Sequence, residues 1–389
     1  MTAPPKVQRW SWRSRTVRGI LYQLVAVALI ALALGYLMHN TLENMRVRGI
    51  KSGYDFITQT AGFAIGESLI PFDSGESYGK AFVVGLSNTL RVAVVGIVLA
   101  TLLGTVVGIA RLSRNVLVRS LATCFVELLR NVPLLLQLFI WYFVLTELLP
   151  PVEDALHGGG FFFSKNGLQF PIPHWETGHA GTLAGLALGL VAALAWRYWA
   201  RRRFESTGQT VPMWWPGLVL FVVLGAIGWL AGGAPSGLDI PEKTEISVVG
   251  GGAVTPEFLT VLIGLTAYTA AYIAEVVRAG LQSVSYGQHE AAAALGLSRT
   301  QELRLVTLPQ ALRVIIPPLT SQYLNLTKNS SLAVAVGYPD LVSIANTSLN
   351  QTGRAIECIA VVMGCYLTLS LLTSAFMNWY NRRAAIRER

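Results

Sequence analysis

The sequence predicts an all-α integral membrane protein with eight transmembrane helices. Three observations carry this. Of 389 residues, 53% are hydrophobic and 13% charged, with a mean hydropathy of +0.51; ordinary soluble chains carry about 25% charged residues. The apolar residues gather in uncharged blocks of a length that covers a hydrocarbon core of about 30 Å. Lys and Arg are abundant in alternate gaps between those blocks, the asymmetry of a multi-pass chain. This composition excludes a disordered protein and argues against a soluble enzyme.

The first span is residues 19–38, preceded by Lys6, Arg9, Arg13, Arg15 and Arg18 with no acid among them. It is longer than the apolar core of a signal peptide, about 7–15 residues, and reads as a signal anchor. Residues 39–80 are polar and mixed in charge. The second span is 81–110. After Arg111, Arg114 and Arg119, a third stretch runs to 149, interrupted at Glu127, Arg130, Asn131 and Pro133. A loop rich in Pro, Gly and His follows to His179. The fourth span, 180–196, ends in Arg197, Arg201, Arg202 and Arg203; the fifth is 211–231. The sixth, 256–274, closes on Glu275 and Arg278. The seventh, 314–327, is short, and Pro317 and Pro318 are expected to break it. The eighth, 358–381, ends in Arg382, Arg383, Arg387 and Arg389.

With the N-terminus inside, cytoplasmic segments hold 21 Lys and Arg and external segments hold 8. Such a bias predicts both termini in the cytoplasm. It also explains the formal charge of +9 without a nucleic-acid-binding stripe. Arg91 lies inside a span and is expected to snorkel. Cys124, Cys358 and Cys365 make no metal or redox spacing and read as small packing residues.

Several chemistries have no carrier in this chain. The Gly-Lys pair at Gly79 and Lys80 is followed by Ala81, so no P-loop is present. The histidines form no HExxH pair, and no metal site or catalytic residue is expected. Acids sit mostly at span ends, unlike the deep carboxylates of proton-coupled carriers.

Residues 275–332 stand apart. Ser285 with Gln288, and Ser298 with Gln301, are spaced as capping boxes. Between them an alanine-rich run predicts a short helix, and Gly296 is placed as its left-handed stop. A short helix between two spans can serve as a docking knob or as a plain connector.

The spacing of Glu290, Ala291, Ala292, Gly296, Val306, Thr307, Leu308 and Pro309 resembles the EAA motif of ABC-importer permeases, with Val306 where Ile is usual. GLSNTLRV (85–92), FVELLRNVPLLLQLFIWYF (125–143), AYTAAYIAEVVRAG (267–280) and LTKNSSLA (326–333) resemble the polar amino-acid permeases of histidine/glutamine type. The length and the stretch 53–70 look like the longer permease of general L-amino-acid importers. The resemblance covers about half of the chain at motif level. It implies a five-helix type I importer core made of spans two, three, six, seven and eight, plus three additional helices. The chain then divides into an N-terminal part with the first span (1–80), a first core part (81–149), an insertion with an extra helix pair (150–255) and a second core part (256–389) whose coupling loop is 279–313. Gly181, Gly185 and Gly189 form a stripe on the inserted fourth span that permits close helix contact.

The resemblance further implies a transport subunit without enzymatic chemistry of its own. ATP and Mg would sit on two separate ATP-binding subunits, and the chain itself would bind no cofactor. A second related permease, a periplasmic amino-acid-binding protein and membrane lipid would be its other partners. Glu290, Ala291, Ala292, Gly296, Leu308 and Pro309 would couple to the ATPase. A zwitterionic substrate needs opposite charges or aimed dipoles. Glu127 and Arg130, beside the Pro133 break, and Lys328, Asn329, Ser330 and Ser331, after the seventh span, are the pathway candidates. Glu275 and Arg278, one turn apart, read better as a structural ion pair. An ion-coupled secondary amino-acid carrier is the alternative.

Overall fold

The computed structural model describes residues 15–47, 49, 52–176, 178–209, 211–212, 214–234, 236–244 and 247–384. Lys6, Arg9, Arg13, Arg48, Lys51, Arg387 and Arg389 lie outside the described residues. The chain forms two compact units, one of residues 1–123 and 269–389, the other of residues 124–268.

Helices dominate: α1 (Arg15–Val47), α2 (Tyr78–Ala110), α3 (Val116–Asn131), α4 (Leu134–Phe143), α5 (His179–Thr207), α6 (Trp215–Ala231), α7 (Pro256–Gln282), α8 (Tyr286–Ala294), α9 (Arg299–Glu302), α10 (Leu308–Asn329), α11 (Leu341–Thr352) and α12 (Ala355–Ala384). Among the described residues, α1, α2, α5, α7 and α12 are long and apolar enough to cross a membrane. The α3–α4 pair passes the same test as one span bent by 108°. The bend sits at the predicted break, where Pro133 cannot donate a helical hydrogen bond. Gln137 fills the gap, donating to Leu129 O at 2.8 Å and Val132 O at 2.9 Å. That gives six spans among the described residues; the predicted eight needs α6 (17 residues) and α10 (22 residues) to cross as well.

Two expectations are corrected. Pro317 and Pro318 do not break the seventh helix: both lie inside a continuous α10, because neighbouring packing in a membrane helix makes up for a missing N–H. Its end comes later, where residues 330–336 tighten into a 3₁₀ turn. Arg91 does not snorkel but pairs with Glu67, a partner supplied by the polar segment before α2.

In the first unit, α2 buries Gly96, Ala100, Gly104 and Gly108 along one face. A Cβ on Gly104 would lie 2.7 Å from Ile273 Cβ, and one on Gly108 would lie 2.7 Å from Ala274 O. Only glycine lets α2 and α7 approach this closely. The segment 53–77 is part of the core rather than a free loop. Phe56 and Ala61 pack with Tyr78, Phe82, Leu341, Ile344 and Cys358. Arg354 secures it, donating to Gly53 O at 2.6 Å and Asp55 Oδ2 at 2.8 Å.

In the second unit, the predicted loop after α4 contains short strands. β1 (Leu156–Gly158), β2 (Phe161–Ser164), β3 (Gly167–Phe170) and β8 (Gly252–Val254) make an antiparallel sheet in the order β1-β2-β3-β8. Gly159 and Gly160, at φ 60° and 82°, give the left-handed tight turn that joins β1 to β2. β4 (Ile172–Pro173) pairs with β5 (Leu238–Asp239), and β6 (Glu242–Lys243) with β7 (Val248–Val249). Between these strands α5 and α6 form a hairpin. A Cβ on Gly181 would lie 2.8 Å from Gly228 O, and one on Gly185 2.4 Å from Leu224 O. The glycine stripe on α5 therefore faces α6.

Candidate functional site

The distinctive local structure lies in residues 279–313, all in the first unit. α7 ends at Gln282, and Ser285 opens α8 as its N-cap. The Ser285 hydroxyl makes no capping bond; Gln288 instead accepts from Gln310 Nε2 at 3.2 Å. That departs from the predicted capping box and ties α8 to the start of α10. Gly296 ends α8 at φ 71°. Gly296 N donates to Ala293 O at 2.9 Å, and Leu297 N to Ala292 O at 3.1 Å, the paired bonds of a Schellman turn. The second capping box forms as predicted at Ser298 and Gln301 and starts α9. A wide π turn at Leu303–Thr307 then leads into α10, with Pro309 in the first helical turn, where its missing N–H costs nothing.

This arrangement makes α8 a braced knob. His289 Nδ1 contacts Glu302 Oε1, holding α8 to α9, as the Gln288–Gln310 bond holds it to α10. Ala292 is buried, which a larger side chain would prevent, while Glu290, Ala291 and Gly296 are exposed. Tyr286 and Leu295 are 76% and 79% exposed. Large side chains exposed at the two ends of a short helix suit a protein partner. Sequence reasoning passed over both, since neither belongs to the motif. Leu308 is partly exposed and lines an apolar cavity of about 640 Å³ with Thr101, Leu281, Leu312, Tyr323 and Phe376.

The ion-pair candidates meet. Arg278 Nη2 lies 2.5 Å from Glu275 Oε1, and Arg111, the C-cap of α2, lies 2.5 Å from Glu275 Oε2. One carboxylate thus bridges two guanidiniums. Arg111 went unread because it is 164 residues away in the chain.

The pathway candidates divide between the units. Glu127 and Arg130 are exposed on α3, in the second unit. Lys328 is exposed near the end of α10, in the first. Ser330 is buried and donates to Thr327 O at 2.7 Å; Ser331 donates to Lys328 O at 2.8 Å. Both hydroxyls are spent on closing the helix. Asn329 is half-buried.

A polar cluster explains the 85–92 stretch. Asn88 Nδ2 donates to Glu67 O at 2.8 Å and Pro339 O at 2.9 Å, and Thr89 Oγ1 accepts from Leu341 N at 3.1 Å. Gly85 sits against Leu341 and Ile344, where a Cβ would come within 3.1 Å and 2.9 Å. Asp340, buried, caps α11 by accepting from Ser343 N at 2.8 Å. Among the described residues, no cluster of His, Cys, Asp or Glu could hold a metal ion.

Comparison with known proteins places this architecture. Residues 181–386 match the family described as binding-protein-dependent transport system inner membrane component. The chain is 44% identical to the general L-amino acid transport system permease protein AapQ of Rhizobium johnstonii over 100% of this chain and 98% of that protein. The chain belongs to this family. It is likewise 45% identical to the putative amino-acid ABC transporter permease protein YhdX of Escherichia coli, over 97% of both chains. It is 40% identical to the glutamate/glutamine/aspartate/asparagine transport system permease protein BztB of Rhodobacter capsulatus, over 96% of this chain and 95% of that one. As a binding-protein-dependent inner membrane component, it is a multi-pass permease of the inner membrane, and its spans carry a transport role rather than an enzymatic one.

Proposed function

We propose that this permease translocates L-amino acids as one membrane subunit of an ATP-driven importer. The braced knob at α8 carries the reading: a short helix that follows α7, tied to α9 and to the start of α10 and exposing Tyr286 and Leu295 at its ends, is built to receive a push. One of two ATP-binding subunits would take it in a groove, and each subunit would bind ATP and Mg. Nucleotide-driven closure would then move the attached spans as rigid bodies. Glu290, Ala291 and Gly296 form the docking side, Ala292 packs behind it and keeps the knob close, and Leu308 and Pro309 sit at the root of α10. Relatives whose names specify L-amino acids support the substrate class. A second, related permease completes the membrane pair, and a periplasmic amino-acid-binding protein delivers the cargo. In this reading both termini are cytoplasmic, which the basic bias supports. Lys328 and Asn329, in the last turn of α10, and Glu127 and Arg130, beside the α3–α4 bend, remain the pathway candidates.

Reconstitution tests the reading. In proteoliposomes the chain alone, under an imposed ion gradient, is expected to transport nothing. With the second permease, the ATPase, the binding protein and ATP, it is expected to take up an L-amino acid. Uptake by the chain alone would instead establish an ion-coupled carrier.

A further inference from the structure

The α5–α6 hairpin carries a feature that coupling does not use. α5 has 29 residues, about 43 Å at 1.5 Å per residue, well beyond a hydrocarbon core of about 30 Å. Its apolar part ends at Trp196. There Trp196 Nε1 donates to Pro212 O at 3.2 Å, which levels it with the start of α6 at Trp214 and Trp215. These indoles mark an aromatic belt at one membrane surface. The rest of α5 therefore stands in the headgroup zone, and it holds Arg197, Arg201, Arg202 and Arg203.

The arginines are arranged, not merely present. Arg197 lies over the Trp214 ring at 4.5 Å, Arg202 over Tyr198 at 4.7 Å, and Arg203 over Trp199 at 5.1 Å. A guanidinium stacked by its face on a ring keeps its edge N–H donors free for a planar anion. Among the described residues, Arg201 alone in this collar is paired with an acid, Glu205 at 3.1 Å and exposed. At about 100° per residue, Arg197 and Arg201 share one side of the helix while Arg202 and Arg203 take two others. A protein docking on one face would meet only part of such a collar, whereas lipid surrounds it. Trp199, Arg202, Arg203, Glu205 and Ser206 bound an open depression of about 610 Å³.

We infer that the arginine collar at the end of α5 binds the phosphate headgroups of anionic phospholipids, which anchor the inserted hairpin in the membrane. Phosphodiester oxygens accept from the guanidinium edges, and the acyl chains lie along the exposed leucines of α5.

Native mass spectrometry of the full chain tests this, using phosphatidylglycerol and phosphatidylcholine of identical acyl chains. The wild type is expected to retain phosphatidylglycerol preferentially, and an excess of inorganic phosphate is expected to leave that preference unchanged. R201Q/R202Q/R203Q is expected to lower it by about fivefold per arginine, while R382Q, at the end of α12, leaves it intact. Equal retention of both lipids by the wild type, displacement by inorganic phosphate, or an unchanged preference in the triple variant would overturn the inference. So would a triple variant that keeps its lipids but no longer co-purifies with the ATPase, since the collar would then be a protein contact. If the triple variant fails to insert, R201K/R202K/R203K and Y198A/W199A, which keep the charge, decide. Both are expected to lose preference, and retention in both overturns the inference.

Discussion

At the residue scale, Gly296 separates a turn role from a surface role. Its φ of 71° favours glycine, yet a Cβ there would meet nothing within 4 Å. Left-handed backbone costs most L residues about 1–2 kcal/mol, and Asn or Asp less. Both Gly296→Asn and Gly296→Asp should therefore fold and reach the membrane. They differ in placing a charge on the exposed side of the knob. Gly296→Asp is expected to abolish uptake and ATPase co-purification, while Gly296→Asn keeps most of both. Normal ATPase capture by the Asp variant would show that this side of α8 is not the docking side. Residues of this kind are legible in sequence because their partners are local: Gly296 closes a turn made within six residues. Arg111 and Gln137 were not legible. Glu275 reaches Arg111 only once α2 and α7 are packed, and the need for Gln137 arises only from the 108° bend.

At the element scale, the α5–α6 hairpin shows what patterning reveals and what it withholds. The spacing of Gly181, Gly185 and Gly189 marks a contact face, but no spacing on α5 names the helix that fills it. The partner is α6, whose Gly225 and Gly228 return the favour. The comparable face of α2, through Gly104 and Gly108, escaped notice because residues 92–110 of α2 carry no charge on any side and so no contrast. The strands around the hairpin escaped because each is only two to four residues long. The close approach makes a direct prediction. A Cβ on Gly217 would lie 3.5 Å from Ala193 Cβ, within disulfide range. An A193C/G217C pair, with the native cysteines removed, is expected to oxidise readily in full-length protein. Adding Gly185→Val, whose Cβ would press on Leu224 O, should lower the cross-linking yield severalfold. An undiminished yield would mean that the helices tolerate separation at that level, and that the stripe does not set their spacing.

At the scale of the whole molecule, the span count rests on a short member, α6, and a polar one, α10. α6 has 17 residues, about 26 Å, and α10 carries Arg313, two prolines and Lys328 in 22 residues, about 33 Å. α10 is long enough to cross and α6 meets the lower limit of about 17 residues; crossing by both is what puts 21 basic residues on one side and 8 on the other. If α10 failed to cross, α12 would run the opposite way and carry Arg382 and Arg383 outward, against the positive-inside bias. If α6 failed, the strands β5–β8 would lie on the far side from β1–β4, although β8 pairs with β3 and β5 with β4. The sheet itself therefore requires an even number of crossings between residues 170 and 252. Cysteine labelling with a membrane-impermeant maleimide in intact cells, on a background lacking the three native cysteines, measures this directly. N166C and N350C are expected to label from outside; Q209C and R299C only after permeabilisation. Labelling of R299C in sealed cells would place the α8 knob beyond reach of any cytoplasmic ATPase, and the coupling assignment would fall with the topology.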